Sequence, residues 1–298
     1  MQRLLITGGT GFLGKTLIHH AHQQGFLVAA TYFSTSIPLD TNTETYWLPL
    51  DIRDLWAIEE GVEIFQPDII IHTAFRQNNP LLWEITAGGT RNVAQVCCKR
   101  GIRMIHLSSD VIFDGERTRP YTPADLPQPI TAYGAAKADA ERFVRDFCAS
   151  SVIVRTSLIY DYPDPDRHTQ FILQVADGEV QARLFEDEYR CPIYVHDLAA
   201  AVLEVIQIPY RGILHVAGAE VVSRYELGML LAHAHGRDPS TIPSGKSTES
   251  PSRRPRNCAL DITESQRLLQ TTLRGVRDVL QSHGVAFPSS GPLSIAKK

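Results

Sequence analysis

Tyr133-Gly134-Ala135-Ala136-Lys137 sets a phenol and an amine at i and i+4, on one face of a helix. A phenol, with a pKa of about 10, gives up its proton poorly. A neighbouring ammonium changes that by stabilising the phenolate. Lys137 is spaced to supply the ammonium. Ser109, in Leu107-Ser108-Ser109-Asp110, adds a hydroxyl suited to orienting a substrate carbonyl. The same five residues would also suit an amphipathic helix with a surface lysine and a half-buried tyrosine, so the spacing needs a second feature.

That feature is Gly8-Gly9-Thr10-Gly11-Phe12-Leu13-Gly14, between an apolar run and a helical one. Glycines 8, 11 and 14 read G-x-x-G-x-x-G, and 9, 11 and 14 read G-x-G-x-x-G. Glycines in this place permit a tight turn, close approach of backbone N–H groups to a pyrophosphate, and tight helix–strand packing. The helix N-terminus adds partial positive charge. The loop reads as a dinucleotide cradle, with Gly8, Thr10, Gly11, Phe12, Leu13 and Gly14 on the cofactor. With a cradle upstream, Ser109, Tyr133 and Lys137 read as the catalytic trio of a hydride-transfer enzyme, and Tyr133 and Lys137 also as cofactor contacts.

The identity of the dinucleotide turns on the second apolar run. An NAD site of the common type carries Asp or Glu about 20 residues on, holding the ribose 2′-OH. No acidic residue stands between Lys15 and Leu39. Instead Thr31-Tyr32-Phe33-Ser34-Thr35 offers hydroxyls for a 2′-phosphate, without an arginine. NADP(H) is favoured and NAD(H) stays open.

These residues need elements to position them. Strand-like runs cover 3–7, 27–32, 46–50, 68–73, 102–108 and 152–155, alternating with helical stretches at 12–24, 55–65, 82–100 and 132–149. Such alternation predicts a Rossmann-type, doubly wound parallel α/β sheet with helices on both faces. Beyond 160 the pattern loosens into a loop at 160–167, helices at 195–206 and 223–234, a strand at 212–217, a polar loop at 238–256, and short helices at 263–269 and 273–283. The division expected is a dinucleotide-binding domain from 1–158 plus about 194–219, with a smaller C-terminal substrate lobe from 159–193 plus 220–298.

Composition narrows the field. The chain has 298 residues, 43% hydrophobic and 21% charged, with a net charge of -4. That balance argues against a protein that coats nucleic acid or anionic membrane. No apolar run approaches the roughly 20 residues needed to cross a bilayer. Five cysteines, an odd number without Cys-x-x-Cys spacing, build neither a disulfide framework nor a metal site, and point to a reducing cytoplasm. His19, His20 and His22 lack accompanying carboxylates, so no metal is expected there.

Longer motifs then resemble a known family, the extended short-chain dehydrogenases/reductases, in the dTDP-4-dehydrorhamnose reductase branch. The carriers include T-G-G-T-G-F-L-G at 7–14, L-D-I at 50–52, I-H-T-A at 71–74, L-S-S-D-V-I-F-D-G at 107–115, P-Q-P-I-T-A-Y-G-A-A-K at 127–137, V-R-T-S-L-I-Y at 154–160 and R-C-P-I-Y-V-H-D-L-A at 190–199. The resemblance implies NAD(P)H-dependent reduction of a 4-keto nucleotide sugar, with Tyr133 as proton donor. It places Asp51 and Ile52 by the adenine, Thr73, Ala74 and Phe75 along the pyrophosphate, and Ile159 near the nicotinamide. Asp110, Val111 and Arg190 would face the nucleotide-sugar substrate. From the residues alone, Asp110 reads equally as a loop cap, and Arg190 as a surface ion pair with Glu186, Asp187 or Glu188. Val111 stands where related dehydratases carry a second carboxylate. Thr86 replaces an asparagine, and Phe75-Arg76-Gln77-Asn78-Asn79 lacks the branch's acidic cluster. A homodimer is compatible with the resemblance. Two other readings share it: a non-catalytic NADP-binding subunit like the regulatory subunit of methionine adenosyltransferase, and a nucleotide-sugar epimerase.

Overall fold

Ile69, Ile70 and Ile71 have almost no exposed surface, as an unbroken apolar run must when helices cover both faces of its strand. They form β4 (Ile69–His72) at the centre of a seven-stranded sheet. The other strands are β1 (Arg3–Thr7), β2 (Leu27–Tyr32), β3 (Tyr46–Pro49), β5 (Arg103–Ser109), β6 (Val152–Thr156) and the strand Gly212–His215. Their order is β3-β2-β1-β4-β5-β6, with Gly212–His215 outside β6, and every pairing is parallel. The computed structural model describes residues 1–37, 44–78, 80–288 and 293. Asn79 and the last residues of the expected substrate lobe lie outside them.

Parallel pairing puts the C-terminal ends of all these strands along one edge. The strand order reverses between β1 and β4, which opens the crevice where doubly wound sheets bind ligands. The helices α1 (Phe12–Gln23), α2 (Leu55–Phe65), α3 (Thr90–Arg100), α4 (Ala132–Phe147), α5 (Arg167–Ala176), α6 (Val195–Gln207), α7 (Arg224–Ala234), α8 (Thr263–Leu268) and α9 (Val276–Ser282) complete the fold. Residues of α1 and α6 build the core on one face of the sheet; those of α2, α3 and α4 build it on the other. A third cluster joins α5, α7 and α9 around Tyr160, Leu230 and Val279.

Local chemistry fixes the element ends. Asp54 accepts from Trp56 N and Ala57 N and starts α2. Thr131 does the same for α4 through Gly134 N. Gly101, at φ 67, ends α3 in the left-handed region. One expectation needs correcting: the helix expected over 82–100 is not uniform. After Leu82 and Trp83 it widens into a π-helical turn, Glu84–Gly89, and regular α-helix resumes at Thr90. Gly89 lies so close to Ile52 that an added Cβ would sit 2.5 Å from Ile52 Cδ1.

Candidate active site

The glycine loop joins β1 to α1. Gly8 has φ +73, and a Cβ on it would lie 2.9 Å from Thr73 Oγ1. Gly14 is closer still: its Cβ would lie 2.3 Å from Gly8 O. No side chain caps α1 at Gly11, so its first-turn N–H groups face the loop's open side. Such a cradle fits a pyrophosphate. Thr73 and Ala74 tie the end of β4 to the same loop, with Thr73 Oγ1 donating to Thr7 O at 2.7 Å. Thr10, Gly11 and Phe12 remain open at the rim, whereas Leu13 and Gly14 are buried.

Ser109 ends β5 and is half-buried. Its hydroxyl accepts from Val111 N at 3.4 Å and reaches Asp110 Oδ1 at 3.3 Å, both long contacts. α4 approaches over the turn formed by Asp110–Ile112. Gly134 makes that approach possible: a Cβ there would lie 2.1 Å from Val111 O. The signal in the sequence is Gly134 itself, a glycine in the first turn of a helix, which marks close packing.

Lys137 is 3% exposed and donates to Leu107 O at 2.7 Å. Phe75 covers it, with the ring centroid 5.2 Å from Nζ and 5.7 Å from the Tyr133 ring. Burial lowers the Lys137 ammonium to about 8, and Glu141, one turn on, offsets part of the effect. Burial pushes the Tyr133 phenol the other way, above its ordinary range, and Asp110's charge adds to that. Lys137 thus reaches the end of β5 two residues before Ser109, and Phe75, from just beyond β4, packs over both Lys137 and Tyr133.

Beneath this group, His72 is fully buried between two threonines. Thr90 Oγ1 donates to Thr86 O at 2.6 Å, so it accepts from His72 Nε2 at 3.0 Å. Nδ1 is then the acceptor for Thr7 Oγ1 at 2.7 Å. Burial, with Lys137's charge adding to it, holds this imidazole down to about 3. His72 is a neutral structural bracket between β1 and α3. Thr86 binds the 76 position through both its carbonyl and its N–H, at 2.8 and 2.9 Å.

Asp110 and Arg190 differ from expectation. Asp110 turns inward, accepting from Ser157 Oγ at 2.6 Å and lying 3.6 Å from Arg190 Nε. Burial raises its carboxyl above the ordinary range, against the pull of Arg190 and the two serines. Arg190 forms no surface pair, because it is 2% exposed. Its Nη1 donates to Tyr189 O and Arg256 O, and its Nη2 to Glu188 Oε1 and Pro255 O. Glu188, equally buried, also takes Arg254 at 2.6 Å. Arg190 therefore fastens the 253–256 loop, and little of its guanidinium is free for a phosphate. Val111 is half-buried, and Ile159 opens the short strand Ile159–Tyr160.

At the far end of the crevice, Thr31 also turns away from expectation: it is buried and accepts from Gly8 N at 3.2 Å. Tyr32 packs edge-on against Trp47, while Phe33 is exposed. Asp51 holds Arg53, and Ile52 is buried against Gly89. Among the described residues no cluster of His, Cys, Asp or Glu could hold a metal, and no helix is long and apolar enough to cross a membrane.

The RmlD substrate binding domain family matches residues 1–283. The chain belongs to the RmlD substrate binding domain family. The dTDP-4-dehydrorhamnose reductase of Mycobacterium tuberculosis is 29% identical over 303 residues, covering 97% of this chain and 94% of that protein. Methionine adenosyltransferase 2 subunit beta of Rattus norvegicus is 25% identical, covering 90% and 82%. Among solved structures, dTDP-4-dehydrorhamnose reductase from Bacillus anthracis in complex with NADP superposes with a TM-score of 0.79 at 23% identity, covering 95% of this chain and 97% of that one. That likeness is one of fold, the RmlD-family fold described above.

Proposed function

We propose that this protein is an NAD(P)H-dependent reductase of a 4-keto nucleotide sugar, with dTDP-4-dehydrorhamnose as substrate and NADPH as the favoured cofactor. One observation carries the reading: buried Lys137, one turn along α4 from Tyr133, donates to Leu107 O two residues before Ser109, at the sheet edge that also carries the glycine cradle. The relative from Mycobacterium tuberculosis supports the choice of substrate.

The residues then divide the work. Gly8, Gly11 and Gly14 hold the pyrophosphate, and Lys137 holds the nicotinamide ribose hydroxyls. The bound cofactor supplies hydride to the sugar's C4. Ser109 Oγ turns from its long contact with Asp110 to donate to the carbonyl oxygen. Tyr133 gives that oxygen a proton, completing the alcohol, and later regains one from water. The Lys137 ammonium stabilises the phenolate left between these events. Val111 offers no carboxylate for eliminating water, so the reaction stops at reduction. The lobe from 159–193 plus the chain from 220 on takes the sugar nucleotide, in the reducing cytoplasm that five free cysteines suit.

Lys137 must be protonated for this work. With its ammonium lowered to about 8, turnover is expected to be full near neutrality and to fall as pH rises through about 8. The phenol stays protonated there because its own titration lies higher. A pH–rate profile at saturating substrate, flat to above pH 9, would exclude Lys137 from the chemistry.

The direct test follows NADPH and NADH absorbance against a panel of 4-keto nucleotide sugars. Consumption with dTDP-4-dehydrorhamnose is expected. Binding of NADPH without consumption of any sugar would favour the second reading, a cofactor-binding regulatory subunit. That reading draws on the likeness to methionine adenosyltransferase 2 subunit beta and on the Phe75 ring lying over Lys137.

A further inference from the structure

Cofactor choice has an unexplained element at the sequence level: the end of β2 bears neither the carboxylate that holds a free 2′-OH nor an arginine for a 2′-phosphate. Residues 27–37 contain no charged side chain at all. The missing charge comes from the neighbouring strand. β3 lies beside β2 in parallel register, and Leu50 N extends the ladder to Tyr32 O at 2.9 Å. The chain leaving β3, Asp51-Ile52-Arg53, thus runs alongside the chain leaving β2, Phe33-Ser34-Thr35. Arg53 folds back across that gap, and its guanidinium carbon lies 5.7 Å over the Phe33 ring.

The guanidinium is held rigidly on one side only. Nε donates to both Asp51 oxygens at 3.0 and 2.9 Å, and Nη2 donates to Oδ2 at 2.6 Å. Asp51 is lowered below the usual carboxylate range, chiefly by that hydrogen bonding. Nη1 lies 3.9 Å from Glu84 Oε2, too far for a hydrogen bond, and donates to none of the described residues. Phe33 is 60% exposed, so its ring lies open to solvent beside the guanidinium. A guanidinium over an exposed ring, braced by a carboxylate along one edge, keeps Nη1 without a hydrogen bond to any described residue. That is the geometry with which arginine grips a phosphate.

We infer that Arg53 reads the 2′-phosphate of NADP, with Phe33 as its platform and Asp51 as its brace. The inference rests on the cofactor assignment proposed above and names the residue that sets its preference. Ser34 and Thr35, exposed just beyond Phe33, lie on the same path and add hydroxyl donors.

Binding titrations without any sugar test this, using four ligands: NADPH, NADH, 2′,5′-ADP and 5′-AMP. Arg53→Gln keeps the length and polarity but removes the charge. It is expected to weaken NADPH and 2′,5′-ADP about tenfold or more, with NADH and 5′-AMP changed less than about twofold. Arg53→Lys is expected to recover part of the loss, since charge returns without the fork. Equal weakening of all four ligands would mean that Arg53 serves the adenine or the fold, and would overturn the inference. So would an unchanged preference. A wild type that binds neither NADPH nor NADH would instead bring down the reductase reading itself. Unfolding midpoints for both variants show whether the fold is intact.

Discussion

Tyr133→Phe is expected to lower turnover by about 10²–10⁴-fold, the usual loss when a positioned general acid is removed. The ring keeps its contact with Phe75, so the fold should be nearly unchanged. NADPH affinity should hold as well, because the glycine cradle and the Lys137 contact with Leu107 O remain. Lys137→Met separates the two roles differently. In the proposed mechanism one ammonium both holds the ribose and steadies the phenolate, so that variant should lose affinity and turnover together. Turnover and NADPH affinity, measured for both variants at one pH and salt, give the comparison. Equal turnover of wild type and Tyr133→Phe on a sugar nucleotide would remove the phenol from the mechanism.

The second large effect is expected at Arg190, and it concerns stability. Arg190→Leu leaves Asp110 buried without its cation, takes one of two arginines from Glu188, which keeps Arg254, and removes the side-chain donor from Pro255 O. Breaking a buried pair by removing one member costs about 3–5 kcal/mol. Against a total stability of about 5–15 kcal/mol, that loss is enough to detach the 253–256 loop or unfold much of the chain at moderate temperature. Thermal unfolding of the variant should show a clearly lowered Tm. An unchanged Tm with a raised KM for the sugar nucleotide would instead show Arg190 to be a substrate contact.

These two residues show what sequence carries and what it hides. Tyr133 and Lys137 share one helix turn, so their meeting follows from helix geometry alone. The central sheet is equally local: runs such as Ile69–His72 declare a buried strand without reference to anything distant. Arg190 and Arg53 carry no such signal. Of the partners of Arg190 only its near neighbours, Tyr189 and Glu188, could be read locally; Pro255 and Arg256 lie 65 and 66 residues away, and Asp110 just beyond the end of β5. Arg53 meets Phe33 only because β2 and β3 are neighbours in register. Periodicity also fails where an element is too short or of another pitch. The paired strands Ile159–Tyr160 and Ile193–Tyr194 span too few residues to show alternation. The turn at Glu84–Gly89 has apolar spacing that suits an α-helix, and only the packing of Gly89 on Ile52 reveals the local widening.

In the proposed reaction, hydride passes from the nicotinamide to C4 of a nucleotide-bound keto sugar, with Tyr133 supplying the proton. NADPH deuterated on the transferred face, incubated with dTDP-4-dehydrorhamnose and wild-type protein, follows that hydride. The product should carry one deuterium, at C4 of the sugar, by proton NMR and mass spectrometry. Unlabelled product, a label at any other carbon, or no product from protein shown to bind the cofactor would contradict it.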